Sequence, residues 1–292
     1  MCLPDLCLPS LHTRLTGLAQ LTGSWHHAYR DSGFDALSPA MCSHCACGLP
    51  DQAPDQSPSL PRSLSPARRV VLQQSLLAQN DHSAAHNREH FRAAGVRVVN
   101  LLSSPGSGKT ALLERLAATV SSTLRLGALV GDLATDHDAR RLEKAGLPAV
   151  QITTGHTCHL DAAMVHRGLA ALESAGHPLA ALDLLLIENV GNLVCPAVFD
   201  LGEDLRLVLL SVTEGEDKPL KYPATFQSAD LVVITKVDLA DAVGFDRLLA
   251  HRHVRQVAPG ARVLETSARS GEGMGALLEM VRPSPQTVLP QG

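Results

Sequence analysis

The chain has 292 residues, of which 45% are apolar, 18% are charged and 3% are aromatic. This composition is typical of a globular protein and excludes a fully disordered chain. The formal net charge of −4 gives no overall basic field for nucleic acid or an anionic membrane. Because no apolar run reaches about 18 residues, the sequence predicts no membrane-spanning helix. We expect a cytoplasmic protein without nucleic-acid or membrane partners.

The cysteines favour metal binding over disulfide bonds. Their number is seven, which is odd, and a chain of this length does not need covalent cross-links to fold. Cys42, Cys45 and Cys47 lie within six residues of one another, whereas Cys158 and Cys195 are far away in the sequence. Together with 14 histidines, this pattern indicates a reducing compartment and one or more metal sites.

Four segments differ in character along the chain. Residues 1–40 show no periodicity, and we expect them to be an upstream extension or disordered. Residues 41–67 hold the first cysteine cluster and a linker rich in Pro and Ser. The pattern becomes regular over residues 68–283, which we expect to form one domain, and residues 284–292 are expected to be a C-terminal tail.

The regular part begins with a predicted helix over residues 68–94, which Gly95 ends. Apolar strands then alternate with helical segments, which predicts an α/β fold with a mostly parallel sheet and helices on both faces. The predicted strands are Val96–Leu102, Leu126–Val130, Ala149–Thr153, Leu182–Ile187, Leu207–Val212, Leu231–Thr235 and Val263–Thr266. The predicted helices are Thr110–Ser121, Asp138–Ala145, Asp161–Ala175, Leu220–Ser228, Phe245–Val257 and Gly273–Met280.

A phosphate-binding loop joins the first of these strands to the helix that follows it. Residues 103–110 read Ser-Ser-Pro-Gly-Ser-Gly-Lys-Thr, a G-x-x-x-x-G-K-[ST] pattern with serine in first place. Glycines let the backbone amides turn toward phosphates, and the helix N-terminus adds positive charge. We expect a P-loop NTPase in which Lys109 reaches the β- and γ-phosphates and Thr110 binds Mg²⁺. The expected nucleotide contacts of the loop are Ser104, Pro105, Gly106, Ser107, Gly108, Lys109, Thr110 and Ala111.

Two carboxylates at predicted strand ends are candidates to support the magnesium ion. Asp132 and Glu188 each follow an apolar strand, at the edge where a parallel sheet presents ligands. The alternative is a polar residue that merely ends a strand. Thr135 and Asp138, in the segment after Asp132, are candidate switch residues. The expected catalytic group is therefore Lys109, Thr110, Asp132 and Glu188.

A second loop indicates that the base is guanine. Residues 235–238 read Thr-Lys-Val-Asp directly after a strand, which resembles the Asn-Lys-x-Asp motif of GTPases. The Asp238 carboxylate can accept from guanine N1–H and the 2-amino group, whereas adenine would leave it unpaired. Lys236 would cover the face of the base, and Thr235, shorter than the usual Asn, is expected to weaken one tether of the loop. Residues 266–268, with Ser267 and Ala268, resemble the second guanine-contacting loop.

Cys158, His159 and Cys195 form a further candidate metal site. Thiolates and imidazole are ligands that Zn²⁺ and Ni²⁺ favour. Three donors leave the coordination incomplete, and a symmetric dimer that brings two such loops together would complete it. The alternative from the residues alone is that these cysteines are small buried apolar side chains.

Four motifs resemble the HypB family, the GTPases that insert nickel during maturation of [NiFe]-hydrogenases. They are Gly-Asp-x-x-Thr-x-x-Asp-Ala (131–139), Thr-Gly-x-x-Cys-His-Leu-Asp-Ala (154–162), Glu-Asn-Val-Gly-Asn-Leu-Val-Cys-Pro (188–196) and Ser-Val-Thr-Glu-Gly-Glu-Asp-Lys-Pro-Leu-Lys-Tyr-Pro (211–223). The resemblance implies a G-domain nickel or zinc site at Cys158, His159 and Cys195, placed at the interface of a nucleotide-dependent homodimer. It also implies a HypA-type nickel/zinc accessory protein and the hydrogenase large-subunit precursor as partners.

The first cysteine cluster also resembles this family. Met-Cys-Ser-His-Cys-Ala-Cys-Gly at 41–48 is similar to the family's extreme N-terminus, which implies nickel or zinc binding at Cys42, Cys45 and Cys47. A neighbouring α-amine would complete a planar nickel site, so we expect Met41 to be the true start. The alternative is a genuine extension with a three-thiolate site.

One helix carries regularly spaced histidines. His82, His86 and His90 follow each other at intervals of four residues and share one face of the predicted helix. A solvated helix face is the favoured interpretation, and a secondary metal patch is the alternative.

These observations predict a slow GTPase that acts as a nickel metallochaperone, with GTP/GDP, Mg²⁺, Ni²⁺ and Zn²⁺ as ligands. Slow turnover is expected because no arginine is clearly placed to stabilise the transition state. Three alternatives are a urease-type accessory G protein, a P-loop kinase that accepts ATP, and a passive metal store indifferent to nucleotide.

Overall fold

The structure of the chain is a computed structural model that describes residues 66–120 and 124–283. The predicted extension, the cysteine cluster at 42–47 and the C-terminal tail lie outside the described residues. The described helices are α1 (Pro66–Ala94), α2 (Lys109–Val120), α3 (His137–Lys144), α4 (Ala162–Ser174), α5 (Lys218–Lys221), α6 (Pro223–Gln227), α7 (Ala240–Val243), α8 (Arg247–Val257) and α9 (Met274–Val281).

All described strands form one parallel sheet, which confirms the predicted α/β fold. Their order across the sheet is β3-β2-β4-β1-β5-β6-β7, with β1 at the centre. Every neighbouring pair is parallel. The strands are β1 (Arg97–Leu102), β2 (Leu126–Asp132), β3 (Ala149–Thr153), β4 (Leu184–Glu188), β5 (Leu205–Ser211), β6 (Leu231–Thr235) and β7 (Arg262–Glu265).

Helices cover both faces of this sheet because the central strands are apolar on both sides. In β1, Val99 and Leu101 pack into one core with buried side chains of α2, α3 and α9. Val98 packs on the opposite face with α1 and α4, and Leu102 packs there with α6 and α8. Burial of both faces explains the continuous apolar runs from which parallel strands were predicted.

The strand register brings the candidate phosphate-site residues to one edge. Leu101 of β1 and Val130 of β2 both pair with Glu188, the last residue of β4. The phosphate-binding loop begins at Ser103, directly after the last residue of β1, and Asp132 is the last residue of β2. Because parallel strands end at the same edge, residues nearly 90 positions apart in the sequence meet there.

Two predicted elements differ from the structure. The helix predicted over Leu220–Ser228 is two short helices, α5 and α6, which meet at Tyr222 and Pro223. Proline has no N–H to continue a helix and disfavours helical geometry in the residue before it, so it begins a new helix here. The first helix begins at Pro66, inside the predicted linker, rather than at residue 68.

Among residues 66–120 and 124–283, no helix is both long and apolar enough to cross a membrane.

Candidate functional site

The phosphate-binding loop has the geometry that its sequence predicts. Gly106 and Gly108 have φ angles of +74° and +97°, a region that residues with a Cβ rarely adopt. The Lys109 Nζ donates a hydrogen bond to the Ser103 Oγ over 2.9 Å, which folds the lysine back across the loop. The serine in first place of the motif thus anchors the lysine that is expected to meet the phosphates.

The loop forms the floor of a cleft of about 500 Å³. Lys109 is 8% exposed in this cleft. Burial lowers the pKa of its ammonium group, and nearby carboxylates, of which Glu188 has the largest effect, oppose this shift. A buried cation without a full counter-charge favours an anionic ligand. Further lining residues are Pro105, Gly106, Gly108, Thr110, Ala111, Gly131, Asp132, Leu133, Asp138, Arg141, Glu188, Asn189, Val190 and Gly191.

Glu188 and Thr110 meet as predicted. The Thr110 hydroxyl donates to Glu188 Oε1 over 2.9 Å. The other carboxylate oxygen, Oε2, is buried and has no hydrogen-bond partner within the described part of the chain. Burial raises the pKa of Glu188 to about 7, against the opposing effects of Lys109 and Thr110. A buried oxygen without a partner next to a threonine hydroxyl fits a hard cation such as Mg²⁺.

Asp132 lies at the edge of the same cleft. Its Oδ1 accepts hydrogen bonds from the Ala134 and Thr135 amides and from the Thr135 hydroxyl. Burial opposes ionisation, but these hydrogen bonds outweigh it together and lower the pKa of Asp132. The carboxylate is therefore ionised at neutral pH, and the candidate switch residue Thr135 holds it.

Arg141 is a cleft residue that the sequence analysis did not identify. It lies in α3, where its guanidinium makes two hydrogen bonds to Glu114, at 3.0 and 2.7 Å, and approaches Asp138 at 3.4 Å. No arginine was expected to be clearly placed to stabilise the transition state, and Arg141 is the arginine that lines the cleft. Since the charge is already engaged by two carboxylates, the expectation of slow turnover stays a prediction.

The raised pKa of Glu188 predicts how stability depends on pH. Folding raises this pKa from 4.5 to about 7. Protonation of Glu188 therefore contributes fully to the stability of the folded state below about pH 4.5, and this contribution declines as pH rises toward 7. With nucleotide absent and metals chelated, we expect a loss of up to roughly 3 kcal/mol in the free energy of unfolding between pH 5 and 8. The Glu188→Gln variant should lack most of this slope in urea unfolding.

The matched control for this prediction is Glu143→Gln, on the exposed side of α3. It should keep the pH slope of the unmodified chain. Equal slopes for Glu188→Gln and the unmodified chain would contradict the assignment of the slope to Glu188.

The loop of residues 235–238, here called the base-reading loop, packs directly on the phosphate-binding loop. The Thr235 hydroxyl donates to the Ser107 carbonyl over 2.8 Å, and the Lys236 Nζ donates to the Gly106 carbonyl over 2.6 Å. The tether expected to be weak at Thr235 is therefore present, because the threonine hydroxyl itself reaches the phosphate-binding loop. Lys236 has a φ of +59°, a conformation that turns the chain sharply after β6.

Asp238 and Ser267, predicted on separate loops, meet in the structure. The Ser267 hydroxyl donates to Asp238 Oδ1 over 2.6 Å, and the Ser267 side chain in turn accepts from the Ser270 amide. Asp238 is exposed, Ala268 beside Ser267 is half-buried, and the Val237 amide bonds to the Thr266 carbonyl. The carboxylate is thus oriented by one serine and accessible to a base.

The 211–223 motif also reaches the phosphate-binding loop. Ser107 donates from its hydroxyl to Glu214 Oε2 over 3.0 Å, and Lys218 approaches the Ser104 Oγ at 3.4 Å. Glu214 further accepts from the Ser211 amide within a capping box at the end of β5. In the sequence this motif is recognisable only as a family resemblance, since contacts between distant loops leave no periodic signal.

Cys158, His159 and Cys195 come together as predicted. Their ligand atoms lie within 4.8 Å of one another, and all three residues are half-buried. Burial, followed by the neighbouring Cys158 thiol, raises the pKa of Cys195, and burial lowers the pKa of His159. His159 Nδ1 is buried without a hydrogen-bond partner among the described residues. The imidazole ring of His159 stacks on the ring of Phe199, with the two ring centroids 3.9 Å apart. Two thiols and a neutral imidazole fit Zn²⁺ or Ni²⁺.

A single loop joins this cluster to the phosphate-binding loop. From Glu188 the chain passes through Gly191 and Asn192 to Cys195. Asn192 forms an antiparallel bridge with Ser103, and its side chain donates to the Cys158 carbonyl over 3.3 Å. A Cβ added to Gly191 would lie 3.0 Å from the Pro105 Cα, so the two loops are in close contact.

The histidines of α1 do not behave as one solvated face. His82 is exposed, whereas His86 is half-buried and lies with His90 against His166 of α4. The interpretation of a wholly solvated face was therefore wrong, because the packing of α4 on α1 covers part of it.

The chain is similar to a known family of nucleotide-binding proteins. The model of the family described as "CobW/HypB/UreG, nucleotide-binding domain" matches residues 97–265. The hydrogenase maturation factor HypB of Azotobacter vinelandii is 47% identical over 251 residues, which cover 84% of this chain and 80% of the relative.

Two solved structures are also similar. HypB from Helicobacter pylori in complex with nickel is 40% identical, with a TM-score of 0.66, covering 69% of this chain and 93% of the other. HypB from Archaeoglobus fulgidus is 41% identical, with a TM-score of 0.64, and the match covers 70% of this chain and 97% of the other. Motifs, fold and comparisons agree that the chain belongs to the HypB family, within the CobW/HypB/UreG group of nucleotide-binding proteins.

Proposed function

We propose that this protein hydrolyses GTP and uses the cycle to take up and release nickel during maturation of a [NiFe]-hydrogenase. Zinc would be a second ion of the same site, and a nucleotide-dependent homodimer would be the binding form. The observation that carries the proposal is the loop from Glu188 to Cys195, which contacts the phosphate-binding loop and ends at a candidate metal ligand.

The choice of GTP rests on the base-reading loop. Asp238 is exposed and oriented by Ser267, so its second oxygen is available to guanine N1–H or to the 2-amino group. An ATP-dependent kinase would not need this carboxylate. Lys236 spans the phosphate-binding loop and offers its aliphatic stem to the face of the base.

The hydrolysis step rests on positioning by the chain's own residues. Lys109 is buried in the cleft and supplies positive charge where the β- and γ-phosphates would lie. Thr110 and Glu188, with Asp132 beside them, would hold magnesium, which supplies further positive charge to the phosphates when bound. Thr135 and the Ala134 amide keep Asp132 ionised and in place.

Coupling between nucleotide and metal follows from the shared loop. A γ-phosphate that displaces Pro105 would move Gly191 and Asn192, since these residues touch the phosphate-binding loop. Asn192 also holds the Cys158 carbonyl, so the same movement would change the separation of the two thiols. Release of phosphate would reverse it.

The surface around Cys195 supports the homodimer. Val194 and Val198 flank this cysteine and are 63% and 53% exposed. Apolar side chains beside an incomplete ligand set are expected where a second copy of the loop packs. A HypA-type nickel/zinc accessory protein and the hydrogenase large-subunit precursor are the proposed source and recipient of the metal.

The decisive experiment measures bound nickel and zinc per chain by elemental mass spectrometry on the reduced protein. The metal content is measured once with a non-hydrolysable GTP analogue bound and once with GDP bound. Both measurements are repeated on Cys158→Ala. We expect the two nucleotide states of the unmodified chain to hold different amounts of nickel and the variant to lose this difference. A Ser174→Ala variant, at the exposed end of α4, is the matched control.

If nickel is the same in both nucleotide states, the coupling is wrong. If the nickel difference persists in Cys158→Ala, the G-domain cysteine site is not its origin.

A further inference from the structure

Three histidines from two helices meet on the side of the molecule formed by α1 and α4. His86 and His90 are one helical turn apart on α1, and His166 lies on the second turn of α4. Their ring centroids are 4.2 Å apart for His86 and His90, 5.5 Å for His86 and His166, and 5.6 Å for His90 and His166. One ring nitrogen of each lies within 4.8 Å of the others.

Two of these rings each have one buried nitrogen without a hydrogen-bond partner among the described residues. His86 Nε2 and His166 Nδ1 are inaccessible to solvent and have no hydrogen-bond partner in residues 66–120 and 124–283. Buried polar atoms are nearly always paired in folded proteins, so two such atoms in one cluster favour a shared ligand there. His90 is exposed, which leaves the cluster accessible from solvent on one side.

The charge state of the cluster also suits a metal ion. Burial, and after it the neighbouring histidines, lowers the pKa values of His90 and His166. These imidazoles are therefore neutral at physiological pH, and each keeps a lone pair for coordination.

We propose that His86, His90 and His166 bind one divalent transition-metal ion, zinc or nickel, at a site separate from the cysteine cluster. Imidazole is a ligand of both ions, whereas Mg²⁺ and Ca²⁺ prefer oxygen. Three protein ligands leave a position for water or for a ligand from outside the chain.

Occupation of this site would join α1 to α4. The helix α4 begins directly after the segment that holds Cys158 and His159, and the Asn80 side chain of α1 already accepts from its Ala162 amide. A metal ion at the three histidines would add a second, stronger link between these helices. This inference does not depend on GTP hydrolysis.

The test uses the full reduced chain and compares two paired variants. The first, His86→Gln with His166→Gln, removes two of the three ligands. The second, His82→Gln with His177→Gln, removes one exposed histidine of α1 and one just after α4, and is the matched control. Each is dialysed against excess Zn²⁺, Ni²⁺ or Mg²⁺ in separate arms, and bound metal is counted by elemental mass spectrometry.

We expect the control to bind about one more zinc or nickel ion per chain than the first variant, with no difference for magnesium. With Co²⁺ as a probe, the difference spectrum between them should show d–d bands without thiolate-to-metal charge transfer. Equal zinc and nickel contents in the two variants would overturn the proposal and leave the histidines as packing contacts.

If the paired substitution disturbs folding by circular dichroism, the single His90→Gln variant decides, because this residue is exposed. It should weaken zinc binding at this site at least tenfold relative to His82→Gln. An unchanged affinity would overturn the proposal.

Discussion

We expect the Asp238→Asn variant to prefer xanthosine triphosphate to GTP. The Asp238 carboxylate accepts from guanine, and an amide in its place offers N–H groups that pair with the extra carbonyl of xanthine. Because Ser267 donates to Oδ1 over 2.6 Å, the asparagine can keep its carbonyl on this serine and turn its NH₂ group to the base. The loss of GTP affinity should be about 10- to 100-fold, the cost of unpaired buried polar groups.

Competition between fluorescent and unlabelled nucleotides measures this change. GTP, xanthosine triphosphate and ATP are compared on the unmodified chain, on Asp238→Asn and on Asp241→Asn, an exposed carboxylate of α7. The control variant should retain the GTP preference. If Asp238→Asn binds GTP as tightly as the unmodified chain does, Asp238 does not read the base.

The second large effect is expected for Lys109→Ala, which should lower GTP hydrolysis by about 10²- to 10³-fold. This is the range found when one preorganised positive or donor group is removed from a developing anion. The fold should tolerate the change because Lys109 is a buried cation whose pKa burial lowers, so its removal relieves a desolvation cost. Phosphate release under single-turnover conditions is the measurement.

Lys144→Ala, at the exposed end of α3, is the matched control and should hydrolyse GTP normally. The same two variants separate a nucleotide-driven chaperone from a passive metal store. In a passive store, Lys109→Ala would take up and release nickel as the unmodified chain does. In the proposed cycle, the difference in nickel content between the GTP-analogue and GDP states should disappear.

Local patterns in the sequence were enough for the fold and for most of the site. The apolar runs of the strands predict a parallel sheet because both of its faces are buried, and all seven predicted strands are present with small shifts at their ends. The phosphate-binding loop and the base-reading loop are predictable because each is contiguous, and its chemistry depends on a few residues at fixed spacing. The cysteine site joins residues 37 positions apart. Their ligand chemistry made them one candidate metal site, and the family resemblance implied nickel or zinc there.

The tertiary structure decided what depends on contacts between distant elements. Arg141 lines the cleft because α3 packs beside the phosphate-binding loop, and Thr235 becomes a tether because β6 ends next to that loop. His166 completes the three-histidine cluster because α4 packs on α1, so it had no signal in the spacing of His82, His86 and His90. The sequence determined which chemical groups the chain carries and the local structure that holds each one. Only packing determined which of them meet, because long-range contacts depend on the register and layering of the whole sheet.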